Sequence, residues 1–185
     1  IITEKLDGTN AQVCITRSGP DEGGPAALGG ESILCTGLDA FGLLYLRAGS
    51  RTRWIVPGDD NYGFAAWCKA NADELFKLGE GHHFGEWWGQ GIQRNYNMKE
   101  KRFSLFNTER WSDDAMRPTC CHVVPKLYIG PHTESSIFVT QGLLEAEGSR
   151  AAPGFMKPEG IAIFHTAANH SFKKTFGNDG YKSVQ

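Results

Sequence analysis

The sequence predicts an α+β fold of mainly antiparallel sheets flanked by helices. Three observations predict it. Strand-like segments outnumber helix-like ones, and the two kinds do not alternate in the regular way that builds a doubly wound parallel sheet. Neither an internal repeat nor a linker divides the 185 residues, a length that one substantial core can hold. A single domain over residues 1–185 is therefore expected.

Residues 1–17 alternate loosely and carry β-branched Val13, Ile15 and Thr16, which suits a strand following a turn at Gly8. Residues 18–31 hold five glycines and two prolines, a composition that predicts a long flexible loop between strands. Residues 32–36 read as a second strand. Residues 43–56 read as extended, closed by Pro57-Gly58-Asp59. Asp60 or Asn61 is placed to cap a helix running to Leu78, in which Phe64, Trp67, Cys68, Asn71, Leu75 and Leu78 recur at helical spacing before Gly79 ends it. Residues 82–88, 102–108 and 121–129 read as strands. Thr133 opens a second helix to about Glu147, with Ile137, Phe138, Gln141, Leu144 and Ala146 around one side and Gly148 after it. Residues 160–166 and 171–176 return as strands joined by a polar Asn169-His170 turn.

Composition narrows the function. Hydrophobic residues at 40% and charged residues at 22% describe an ordinary globular chain, not a disordered one. No run approaches the roughly 18 apolar residues of a membrane span, and Ile1 leads straight into Thr3-Glu4-Lys5 without signal-peptide character. A soluble, cytoplasmic, monomeric protein is expected. The missing initiator methionine implies residues upstream of Ile1. Five cysteines, an odd number with no CxxC pair, read as reduced thiols, not as a metal or disulfide framework. The formal net charge of -2 gives no general attraction to polyanions, so any such ligand needs a local basic patch.

The sharpest local feature is Glu4-Lys5-Leu6-Asp7-Gly8-Thr9-Asn10. Alone it is weak, since Asp-Gly beside a surface lysine is a common turn device. It is followed in order by Ser50-Arg51-Thr52-Arg53, Phe84-Gly85-Glu86-Trp87-Trp88-Gly89-Gln90-Gly91-Ile92-Gln93-Arg94, Phe103-Ser104-Leu105-Phe106-Asn107, Pro158-Glu159-Gly160-Ile161-Ala162-Ile163 and Phe172-Lys173-Lys174. Together, from Lys5 to Lys173, these segments resemble the nucleotidyltransferase motifs shared by RNA ligases, DNA ligases and mRNA capping enzymes. The Lys-Leu-Asp-Gly-Thr-Asn and Gly-Glu-Trp-Trp-Gly forms most resemble the ATP-dependent RNA ligases of bacteriophages. The resemblance implies an ATP-grasp-like nucleotidyltransferase domain. In it Lys5 attacks the α-phosphate of ATP to form lysyl-AMP, AMP passes to an RNA 5′-phosphate, and a 3′-hydroxyl seals the strand. The implied cofactors are ATP and Mg2+ or Mn2+; the implied partner is RNA with 5′-phosphate and 3′-hydroxyl ends.

Physical chemistry supports that assignment independently. An attacking lysine must be neutral, whereas a free lysine titrates near about 10.4, so reactivity at neutral pH costs roughly 4 kcal/mol. A cation about 4 Å away is worth about 4 kcal/mol at an effective dielectric of 20. Lys173, an arginine of the 51–53 segment or a bound metal each suffices. Asp7, Glu86 and Glu159 would oppose deprotonation unless a divalent cation sat among them, which points to magnesium held mainly through water.

By resemblance, Lys173 binds the α-phosphate, Glu86 contacts the ribose and the metal's water shell, and Glu159 joins that shell. Phe106 stacks on adenine, although Phe103 and Phe106 both suit a core. Glu4 reads adenine through its backbone or side chain, Asn10 holds a ribose hydroxyl, and Arg51 or Arg53 contacts phosphate or ribose. His82 and His83 are adjacent on a strand and so face opposite sides, which argues against a shared metal. Trp87 and Trp88 likewise divide between the core and a nucleic-acid groove. Lys99, Lys101 and Arg102 read as a solvated charge run. Some relatives carry a further lysine at the place of Thr175. Few residues follow Lys173, leaving either a truncated chain or a minimal ligase without a separate C-terminal domain. The same lysine chemistry would serve a capping guanylyltransferase or the adenylation domain of a DNA ligase. A non-catalytic nucleotide- or RNA-binding domain would keep the fold without the adduct.

Overall fold

In the computed structural model, which describes residues 1–17, 32–177 and 182–184, strands dominate and are almost all antiparallel, as expected for α+β. The expected loop at 18–31 lies outside the described residues. Clustering of the backbone separates two compact units. One comprises residues 1–8, 88–101 and 124–185, the other residues 9–87 and 102–123.

The first unit is built on five strands: β1 (Ile2–Lys5), β9 (Lys126–Tyr128), β10 (Gly160–His165), β11 (His170–Thr175) and β12 (Lys182–Val184), in the order β12-β11-β10-β1-β9. Helix α3 (Glu134–Glu147) begins as predicted, with a capping box in which the Thr133 hydroxyl accepts from the Ser136 N–H. It buries Ile137 and Leu144 against Ile2, Ile161 and Ile163 of the sheet. Phe138, expected on that buried side, is 74% exposed, and Thr140 takes the inward position instead. A second cluster gathers Leu6, Trp88, Tyr96, Val124 and Ala152. Trp87 and Trp88 are both buried, so the expected division between core and groove does not occur.

The second unit holds β2 (Thr9–Arg17), β3 (Ile33–Asp39), β4 (Gly42–Ser50), β5 (Trp54–Ile55), β6 (Gly81–Gly89), β7 (Lys101–Leu105) and β8 (Cys121–Val123), with the path β3-β4-β2-β6-β7-β8 and β5 on β4. β7 and β8 pair in parallel. Val13, Leu46 and Ala48 are buried, and Phe64 packs on Trp87 and Phe103 with ring centroids 5.4 and 5.0 Å apart.

Three predicted elements divide. The helix expected over 61–78 is α1 (Phe64–Ala70), α2 (Ala72–Leu75) and a 3-10 turn (Phe76–Leu78). Asn71 breaks it because its side-chain amide donates to the Trp67 carbonyl at 2.8 Å, offering the backbone a competing partner. Asp60 does cap, from outside the helix, accepting the N–H groups of Ala65 and Ala66. The 43–56 segment turns at Ser50, whose N–H donates to the Arg53 carbonyl at 2.9 Å. The 121–129 segment splits at Val124-Pro125 into two strands that join different sheets, since proline cannot donate to a ladder.

Candidate active site

Pairing register decides which side chains share a face. Lys5 lies opposite Gly160, and Gly160 opposite Thr175; Thr3 lies opposite Ala162, and Ala162 opposite Lys173. Cross-strand partners point the same way, so Lys5, Thr3, Lys173 and Thr175 occupy one face of the five-stranded sheet. Glu4, Ile161 and Lys174 occupy the other. Between the two lysines β10 contributes only Gly160 and Ala162, leaving a low floor about two strand spacings, roughly 10 Å, wide. Gly160 has φ 152, and a Cβ there would collide with the Lys174 carbonyl, so the floor is enforced by the backbone.

The Lys5 ammonium donates to Glu159 Oε2 at 2.5 Å, with exposures of 23% and 15%. Glu159 is fixed from behind, its carbonyl accepting the Phe176 N–H at 3.0 Å. Burial pushes the Glu159 carboxyl above its ordinary range and Asp7 adds to the rise, while Lys5 and Arg94 oppose it. Asp7 is held by Arg94 Nε at 2.8 Å, and its N–H donates to the Tyr96 hydroxyl at 2.8 Å. Two cations and two carboxylates thus meet in the first unit.

Arg94 ends the 84–94 segment with no individual role expected of it, and Tyr96 lies beyond that segment; the structure sets both against Asp7. Tyr96 is buried, packed on Trp88 and Phe155, and burial pushes its phenol well above the ordinary range, so it stays protonated. Gln93, Asn95, Tyr96 and Asn97 all have positive φ. Such backbone costs of order 1 kcal/mol or more per residue and clusters at functional sites. The two asparagines flanking Tyr96 are the one sequence feature that could have marked this loop, since asparagine tolerates this conformation.

Glu4 is turned away from Lys5. Its carboxylate accepts from the Ser149 hydroxyl at 2.6 Å and from the N–H groups of Arg150 and Ala151 at 2.8 and 3.0 Å. Those bonds occupy the side chain, so contact with adenine through it is not available. Burial nevertheless outweighs these bonds and raises the carboxyl.

The other expected residues lie in the second unit. Asn10 pairs in register with Glu86. Phe103 is fully buried and Phe106 is 42% exposed, which separates the core ring from the available one. Arg51 and Arg53 are both exposed, and Arg53 is engaged by Asp59 at 2.5 and 3.0 Å. His82 and His83 do face opposite sides, His83 being buried with its ring bonded to the Gly79 carbonyl at 2.9 Å. Among the described residues no three His, Cys, Asp or Glu side chains form a direct metal cage.

An α+β protein with a lysine set against a carboxylate on one sheet face, and a second lysine across a glycine floor, defines the class of protein at hand. The chain belongs to the RNA ligase family, whose model matches residues 1–173. No curated protein matches it. Among solved structures the chain is similar to a Naegleria gruberi RNA ligase in an apo mutant form, at 20% identity and a TM-score of 0.57 over 94% of this chain and 48% of that one. It is similar also to a mutant form with ATP and Mn, with the same values, and to the form with PPi, at 21% identity and a TM-score of 0.55 over 94% and 48%. The chain spans about half the length of these structures, and the likeness concerns the fold. Among the described residues no helix is long and apolar enough to cross a membrane.

Proposed function

We propose that residues 1–185 act as the nucleotidyltransferase domain of an ATP-dependent RNA ligase, with Lys5 as the nucleophile. The observation that carries this reading is Lys5 paired with Glu159 on the sheet face it shares with Lys173, across Gly160 and Ala162. Lys5 Nζ attacks the α-phosphorus of ATP in line, the N–P bond forms as the P–O bond to pyrophosphate breaks, and the lysine proton leaves to the surrounding acid–base groups. Glu159 sits where it can take that proton, because burial has raised its carboxyl. Lys173 sits to bind the α-phosphate oxygens. Asp7, anchored by Arg94 and Tyr96, is held for the same site.

Asp7 and Glu159 suit a magnesium or manganese ion kept mostly in its water shell, since such ions take one or two carboxylates. They are close enough that Asp7 raises the Glu159 carboxyl. When bound, the ion would supply positive charge for the developing pyrophosphate. The roles of Asn10, Glu86, Phe106 and an arginine of 51–53 in holding the nucleotide follow from the family's motifs, as does Glu86 in the metal's water shell. AMP then passes to an RNA 5′-phosphate, and a 3′-hydroxyl displaces it. The Naegleria gruberi ligase solved with ATP and Mn supports these cofactors.

The test is intact mass after incubation with ATP and magnesium. A gain equal to one AMP is expected in the natural chain, with none in Lys5→Ala and none with GTP. An unmodified natural chain, or an adduct retained in Lys5→Ala, would sink the assignment.

A further inference from the structure

The open face of the second unit's sheet carries rings where a solvated strand should carry polar side chains. Along β6, His83, Gly85 and Trp87 point into the core and are buried, while His82 and Phe84 point outward and are exposed, Phe84 by 49%. Trp54 pairs with Gly49, Gly49 with Gln12, and Gln12 with Phe84. This single row therefore crosses four strands with rings at both ends. Phe106 extends it, its N–H donating to the Phe84 carbonyl at 3.0 Å. Phe103 lies on the Gly85 side, where a Cβ on Gly85 would meet its ring at 2.6 Å, so Phe106 is on the Phe84 side.

The rings form one surface. His82 and Phe84 are nearly parallel, 14° apart with centroids at 6.0 Å, and His82 lies 6.1 Å from Trp54. The His82 ring is oriented by Gln12, whose Oε1 lies 3.1 Å from Nδ1. Twice the rise of about 3.4 Å between stacked bases exceeds 6.0 Å, so bases lie on these rings rather than between them. Beneath Trp54 the Arg47 guanidinium stacks at 3.9 Å. Arg47 is 8% exposed and its Nε has no hydrogen-bond partner. Among the described residues no carboxylate pairs with it. A buried guanidinium paired with no described carboxylate favours an anionic ligand over the rings.

From these positions we infer that the face formed by Trp54, His82 and Phe84 is a stacking platform for unpaired bases of the RNA end being joined. The choice of ligand rests on the ligase reading above. The next row along the same face is Asn10 with Glu86, two residues or about 7 Å from Gln12 and Phe84, so the platform continues the surface assigned to the nucleotide. Flat rings read every base and carry no sequence preference. They require the bases to be unstacked and unpaired, so the ligase would favour single-stranded or frayed ends over fully paired ones.

Fluorescence anisotropy with a labelled 5′-phosphorylated single-stranded RNA, and with the same strand annealed to its complement, tests this on the natural chain, Phe84→Ala and Phe84→Tyr. Phe84→Ala should weaken single-strand binding about 10-fold and duplex binding less than about twofold, as stacking losses per base suggest. Phe84→Tyr should restore it. Equal losses on both RNAs, or no loss on the single strand, would overturn the platform. The AMP adduct separates the two ideas. If the natural chain takes AMP while Phe84→Ala binds single strands normally, the platform fails alone. If no adduct forms yet the Phe84 dependence holds, the platform stands and the Lys5 assignment fails.

Discussion

Lys5 rests in an ion pair with Glu159, a partner that stabilises the ammonium and so opposes attack on phosphorus. Reactivity needs the local field to change when ATP arrives, and Lys173 is the fixed cation on the same face. At about 10 Å, two strand spacings, and an effective dielectric of 20 two such charges repel by about 1.7 kcal/mol, reduced by solvent to about half that because the face is partly open. Lys173→Met should therefore slow lysine adenylylation and move its pH dependence upward by about half a unit, measured in single turnover at saturating magnesium from pH 6 to 10. A profile that only scales down would leave Lys173 as a phosphate ligand and assign the tuning to the metal or an arginine. Lys5, Glu159 and Lys173 were legible as neighbours because short motifs mark their segments. Arg94 and Tyr96 were not, because their part depends on a left-handed loop that carries Tyr96 under the backbone of Asp7. The occupied carboxylate of Glu4 was equally hidden, since strand parity, not sequence motif, turns it away from Lys5.

The element that makes the site possible is the β10 strand, and its first residue is the sensitive one. Gly160 combines positive φ with a backbone so close to Lys174 that a methyl group cannot fit. Gly160→Ala should cost about 2 to 3 kcal/mol in urea unfolding, through backbone strain and displacement of β11, and the AMP adduct should fall with it as Lys173 shifts. Unchanged stability would show that the β10–β11 pairing relaxes without loss. The β10–β11 hairpin was readable in the sequence because Asn169, which adopts φ 46, marks the turn chemically. Helix α3 was readable through Thr133 and Gly148. The 61–78 and 121–129 segments were not, because continuous apolar spacing hides a break made by one side-chain amide at Asn71 and one missing donor at Pro125. Phe138 shows a further limit: helical spacing places it near the buried stripe, but only packing decides that Thr140 goes inward.

At the scale of the whole molecule, stability depends on carboxyl groups that folding does not fully compensate. Glu4 is 1% exposed and burial raises its carboxyl despite three hydrogen bonds; Glu159 is raised in the same way. A carboxyl raised on folding binds its proton more tightly in the native state. Its contribution is therefore most favourable below the unfolded value near 4.5 and declines as pH rises through the folded value. His83 runs the other way. Burial depresses it below its ordinary 6.5, so the stability it supports above that value is lost as pH falls through the folded one. Measuring the natural chain alone would sum these opposed slopes, and the difference between two chains isolates one of them. Glu4→Gln keeps the shape and lets its amide oxygen accept from Arg150 and Ala151 while its amide donates to the Ser149 hydroxyl. It removes the buried charge. Relative to the natural chain, Glu4→Gln should gain stability as pH rises from the unfolded value to the folded one and then level off, by about 1.4 kcal/mol for each tenfold difference in proton affinity between the folded and unfolded carboxyl. Urea unfolding at intervals across that range gives the difference directly. A difference that stays constant with pH would mean that the donors around Glu4 fully offset its desolvation, and a difference that shrinks would mean that the ionised carboxylate stabilises the fold.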